Sequence, residues 1–137
     1  MPLHLIFIGV WLGCVLTEAL FERALLGQGR SEERILARLH IRVDLFIEIP
    51  AFVMVLVTGV LMLAQTPPST ALLIKVVCGL VAIATNVICV ALVFKRHAFA
   101  QAGKWAEFEG IDHLQHKLGA VVLVALLAAL GVGLTLV

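Results

Sequence analysis

The chain has 137 residues, 62% of them hydrophobic, with a mean hydropathy of +1.12, no tyrosine and a formal net charge of +1. Soluble domains are about 45–50% apolar, so this is the composition of a membrane-embedded chain, and its length fits one transmembrane domain over residues 1–137. No basic stripe with interleaved aromatics is present, which argues against a nucleic-acid partner and leaves the lipid bilayer as the first one.

Four apolar stretches come close to the ~20 residues that a spanning helix needs, and helices are expected over residues 3–21, 43–64, 71–94 and 114–137. The opening Met1-Pro2-Leu3-His4 has no cationic segment, and no small-residue cleavage site follows the first apolar run. That run is therefore expected to be a retained helix rather than a signal peptide. Within it, Gly9 and Gly13 form a small-x-x-x-small pair that permits close helix approach, either in a homodimer or inside the monomer. His4, Trp11, Glu18 and Glu22 fall near one face. His4 and Glu18 are separated by about 21 Å along a helix axis, so they cannot hold one ion together.

The stretch from Glu22 to Arg42 contains five arginines, and the one from Lys95 to His113 carries Lys95, Arg96 and Lys104. Both are expected to be cytoplasmic loops by the positive-inside rule, with Trp105 as an interfacial anchor. The second and third helices are joined by the uncharged turn Gln65-Thr66-Pro67-Pro68-Ser69-Thr70. The fold expected is an all-α integral membrane protein, an up-down antiparallel four-helix bundle with both termini outside, in a bacterial inner membrane.

His40, Asp44 and Glu48 follow one another at i, i+4 and i+8, which on a helix places an imidazole and two carboxylates on one stripe, with Arg38 and Arg42 roughly opposite. Pro50 lacks the N–H that would bond the Phe46 carbonyl and should bend the helix just beyond that stripe. In the third helix Lys75, Cys78, Ala82, Asn86 and Cys89 share a face. Lys75 either snorkels to the interface or binds an anionic group such as a carboxylate. The three cysteines lie in apolar segments and form no disulfide framework. The fourth helix opens with Glu109, Asp112, His113 and His116 projecting near one another.

Intramembrane carboxylates usually face a bundle interior and carry a function. In an up-down bundle the ends carrying Glu18, His40, Asp44, Glu48, His113 and His116 come to one level, and a carboxylate and imidazole donor set suits Zn, Mn, Fe or Cu(II). The alternatives are that these acids pair with Arg38, Arg42, Lys95 or Lys117, that they relay protons or ions, or that the chain is a structural subunit of a larger membrane complex. Haem b, bound through His4 or through a pair of the inner histidines, is a further alternative. No phosphate loop, Gly-x-Ser-x-Gly or Cys-x-x-Cys motif is present, so any chemistry must come from the histidines, the acids and a bound cofactor.

The first helix, Leu3-His4-Leu-Ile-Phe-Ile-Gly9-Val-Trp11-Leu-Gly13, resembles the opening of the HemJ- and CopD-like four-helix membrane proteins, in which a first-helix His precedes a Trp and a Gly. Pro50 followed by Gly59, and Lys75 near the start of the third helix, extend the likeness. The resemblance implies a membrane oxidoreductase acting on protoporphyrinogen, or a role in copper handling, with His4 as the haem or metal ligand and Lys75 as a supporting cation. Asn86 stands where that pattern would welcome a His, and the Asp44, Glu48, His113 and His116 group has no counterpart in it.

Overall fold

The computed structural model describes residues 2–136, so the expected end of the last helix at Val137 lies outside the described residues. It consists of four long helices, each apolar and long enough to cross a membrane: α1 (Pro2–Leu25), α2 (Arg30–Leu63), α3 (Thr70–Ala102) and α4 (Trp105–Thr135). The helical bundle is built as an integral membrane protein requires. Large apolar residues such as Phe46, Leu20 and Val124 are exposed on its outside, while His40, Asp44, Glu48, Asn86 and Arg96 are buried within.

The helices run well past the apolar stretches. Both charged segments, expected as loops, are mostly helical, and the connections shrink to a few residues. From Arg30 onward, Glu33, Leu36, Ala37 and His40 recur at helical spacing and form the buried face, which is enough to continue α2 outside the apolar run. Its first turn carries Glu32 and Glu33, acids that suit the positive end of the helix dipole. Glu33 also binds the preceding loop, accepting from the Gly27 N–H at 3.3 Å and from Arg30 at 2.9 Å.

Between α3 and α4, the Lys104 N–H returns to the Phe99 carbonyl at 2.9 Å, a closure that needs Gly103 in the left-handed region at φ 71°. Gly103→Ala is therefore expected to destabilise the fold by about 1–2 kcal/mol, the cost of a side chain in that conformation, read as a lower thermal unfolding midpoint. Ser69 caps the start of α3 by accepting from the Leu72 N–H at 3.1 Å, directly after the two prolines that end the preceding turn.

The helix distortion near Pro50 does not fall where the sequence suggests. It lies on the charged stripe itself, as a π turn over Asp44–Glu48 in which the Ile49 N–H reaches back five residues to the Asp44 carbonyl. Pro50 would crowd the Phe46 carbonyl in a regular helix, and widening the preceding turn relieves that clash. The wide turn also re-aims the stripe. Four α-helical residues overshoot a full turn by roughly 40°. In the π turn four residues fall short of one, so Glu48 swings back toward the side of His40 and Asp44.

One apolar core joins Ile8, Trp11, Phe52, Val55, Ala82, Val122 and Leu126 across all four helices. Trp11 is completely buried and packs on Phe52, ring centroids 5.9 Å apart. A smaller cluster of Ala37, Ala100 and Phe108 closes the end with the short connections. Trp105 stands edge-on to Phe108 there, with Arg30 4.5 Å above its ring. Gly9 and Gly13 are exposed with no atom against them, so they do not serve packing inside the monomer.

Candidate functional site

Among the described residues, one cavity lies toward each end of the apolar core. The inner one, about 530 Å³, is lined by Glu18, Glu22, His40, Asp44, Glu48 and Asn86 among others, and Gln115 and His116 reach it from α4. His40 is its hub. Its Nε2 lies 3.2 Å from Glu18 Oε2 and 3.8 Å from Asp44 Oδ1, and its Nδ1 lies 3.3 Å from Glu22 Oε1. One ligand atom from each of Glu18, His40 and Asp44 falls within 4.8 Å of the other two. Glu48 lines the same cavity beside Asp44 and Asn86.

The acids find their main partner in Arg96, a residue fully buried on α3. Its Nη1 donates to Asp112 Oδ1 at 2.7 Å, and its Nη2 donates to Glu22 Oε1 at 2.7 Å and lies 2.9 Å from His40 Nδ1. Arg38, Arg42, Lys95 and Lys117 are all exposed and take no part. A single guanidinium thus touches one residue from each of the other three helices.

Arg96 decides which group of acids is left open. Glu22, Asp112 and His116 also offer donors close enough for an ion. There, however, the guanidinium already bonds one oxygen of Glu22 and one of Asp112, so that group is an ion-pair centre in which, of the buried carboxylate oxygens, Glu22 Oε2 alone is left without a hydrogen-bond partner. No such cation reaches the deeper group. Both oxygens of Asp44 and Oε1 of Glu18 are buried without a hydrogen-bond partner. A buried polar atom is normally satisfied, and carboxylate oxygens without a donor call for protons or a cation.

His40 can serve either. Its Nδ1 faces a donor, Arg96, and an acceptor, Glu22. With the proton on Nε2, that N–H points at Glu18 and Nδ1 accepts from Arg96. With the proton on Nδ1, it is donated to Glu22, the hydrogen bond from Arg96 is given up, and the Nε2 lone pair turns to Glu18 and Asp44. The second tautomer is the arrangement of a metal-binding imidazole backed by a carboxylate.

The expected site residues therefore separate. Glu18, His40, Asp44 and Glu48 come together, and His116 stands at the rim, its side chain 49% exposed and 3.7 Å from Glu22. His113 is exposed and stays out of the cluster, because the buried face of α4 runs through Phe108, Asp112 and Gln115. Arg96 and Gln115 join the site although no motif or charge pattern in the sequence marks them. The signal for each is register: Asn86, Val93, Arg96 and Ala100 continue one buried face of α3, and Phe108, Asp112 and Gln115 continue one of α4.

His4 and Lys75 line the second cavity, about 500 Å³ and otherwise largely apolar, at the opposite end of the core. The Thr58 hydroxyl donates to the Met54 carbonyl at 2.6 Å, so its oxygen accepts from His4 Nδ1–H at 2.7 Å. That leaves His4 Nε2 as the unprotonated nitrogen. Comparison with protein-family models, curated proteins and solved structures finds no match to this chain.

Proposed function

We propose that this protein is an integral membrane metal-binding protein, an up-down antiparallel four-helix bundle whose centre is formed by Glu18, His40 and Asp44 with Glu48 adjoining. The observation that carries this reading is the buried group of unpartnered carboxylate oxygens, Glu18 Oε1 and both oxygens of Asp44, facing an imidazole that can present a lone pair. Five carboxylates, Glu18, Glu22, Asp44, Glu48 and Asp112, stand against one buried permanent cation, Arg96. Mixed oxygen and nitrogen donors favour Zn, Mn, Fe or Cu(II) over Ca or Mg.

The charge pattern supports the orientation. Arg23, Arg30, Arg34, Arg38, Arg42, Lys95 and Lys104 are exposed around the end with the short connections, which the positive-inside rule makes cytoplasmic, with both termini outside. A bacterial inner membrane is the setting proposed.

The test is elemental analysis and an ultraviolet-visible spectrum of the detergent-purified protein. Near-stoichiometric metal supports the reading, and iron, manganese or copper rather than zinc would support the redox role that the HemJ- and CopD-like resemblance implies. A Soret band lost on His4→Ala would move the function to haem b. Glu22→Gln keeps an acceptor for Arg96 but weakens the support of the His40 Nδ1 proton. It is expected to lower metal affinity about 10–100-fold, measured by competition with a chelator.

A second reading is favoured by the string of contacts from half-exposed His116 through Glu22 and His40 to Glu18 and Asp44, which would serve as a proton path. It requires proton flux in reconstituted vesicles from protein free of metal. Absence of metal, haem and flux together would leave a structural subunit.

A further inference from the structure

The outer cavity carries a separate function. Its walls are mostly Val, Leu, Ile and Ala, with Thr66 hydrogen-bonded to the Met62 carbonyl, yet His4 and Lys75 enter it from different helices, and each rests on a glycine of a neighbouring helix. A Cβ on Gly59 would meet His4 Cε1 at 3.4 Å. One on Gly133 would meet Lys75 Cε at 3.2 Å and Nζ at 3.4 Å. The lysine stem is therefore laid across α4, in the space that Gly133 leaves, and its ammonium stays beside the cavity.

Among the described residues, Lys75 has no carboxylate partner. An ammonium in such surroundings calls for an anion. Its neighbour His4, with Nδ1–H committed to Thr58, offers Nε2 as an acceptor. Completely buried Trp11 lines the same cavity, and its indole N–H has no partner. The ammonium, at a cavity that is otherwise largely hydrocarbon, matches a head with one negative oxygen group on an apolar chain, while the His4 Nε2 acceptor can bond only the protonated form of such a head.

We propose that this cavity binds a membrane-dissolved single-chain carboxylate of the fatty-acid type, its head paired with Lys75 and adjacent to His4 and its chain lying along Leu56, Val60, Leu80 and Leu130. A single chain suits the volume, which lies in the range of small-molecule pockets. The charge selects a carboxylate over a neutral quinone or alcohol of similar length. This proposal does not depend on the metal centre, which lies in the other cavity.

Trp11 supplies the readout. Trp105 lies in the other aromatic cluster, so Trp105→Phe leaves one indole, at the cavity wall. The detergent-purified Trp105→Phe protein is titrated with dibromostearate and with the matching dibrominated alcohol, whose bromines quench a nearby indole.

Saturable quenching by the carboxylate at concentrations about tenfold below the alcohol is expected, since a hydrogen bond to a charged group contributes at least that factor. Adding Lys75→Met should remove the preference, and Lys75→Arg should retain it, which separates loss of charge from loss of fold. Equal quenching by acid and alcohol, no saturation, or a preference that survives Lys75→Met would overturn the proposal. So would a Soret band in the purified protein that disappears with His4→Ala, because haem would then fill the cavity.

Discussion

Asp44→Asn is expected to purify with no bound metal, and to bind added metal at least about a hundredfold more weakly than the parent chain. The substitution keeps size and hydrogen-bonding capacity but removes the negative charge at the one acid whose two oxygens are both buried and unpartnered. If Asp44 is a direct ligand as proposed, its loss should cost more than the 10–100-fold typical of a supporting residue. His40→Ala should behave alike, whereas His113→Ala should bind as the parent does, because that ring is exposed away from the cluster. Affinity in the parent should fall as pH is lowered, since the ligands must shed their protons before an ion can bind. Inductively coupled plasma analysis and chelator competition read these outcomes directly. Full metal content in Asp44→Asn would refute the site.

Arg96→Met should damage the fold more than any other single change at the site. The guanidinium is fully buried and bonds Glu22 and Asp112 at 2.7 Å each. Removing one partner of a buried ion pair typically costs 3–5 kcal/mol, because the remaining charges lose their compensation. Here two carboxylates are left behind. Little folded protein is expected in detergent, by size exclusion and thermal unfolding. Adding Glu22→Gln and Asp112→Asn removes the stranded charges and should recover much of the loss. Arg96→Lys should recover less, since one ammonium lacks the planar fork that reaches both acids and His40. An Arg96→Met protein that melts like the parent would show that the network contributes little.

The four spanning helices were legible because their apolar runs are long and separated by charges. Their ends were not, because hydropathy stops at the first charged residues while hydrogen bonding does not. Leu36, Ala37 and His40 continue the inward face of α2 well outside its apolar part. The stripe of His40, Asp44 and Glu48 was legible from spacing alone, but the turn that aligns it was not, since relief of the Pro50 clash falls on the preceding turn. Arg96 was hidden by its neighbours: between Lys95 and His97 it reads as one more surface charge. Only the register from Ala82 and Asn86 shows that it faces inward. His113 is the converse case: its chemistry is conspicuous in the sequence, while Phe108, the buried residue that sets the register of α4 and leaves His113 exposed, is one apolar residue among many.

The position of Arg96 also bears on biosynthesis. Chains emerge N-terminus first, so α1 and α2 enter the membrane carrying Glu18, Glu22, Asp44 and Glu48 before α3 delivers the guanidinium that binds Glu22 and the α4 residue Asp112. Until then these acids have to remain protonated or hydrated at the bilayer edge, and the first helix pair is held only by its own contacts, Trp11 on Phe52, His4 to Thr58 and His40 to Glu18 and Glu22. The bundle is thus completed from its second half, with α3 acting as the clasp that closes an otherwise unfinished pair.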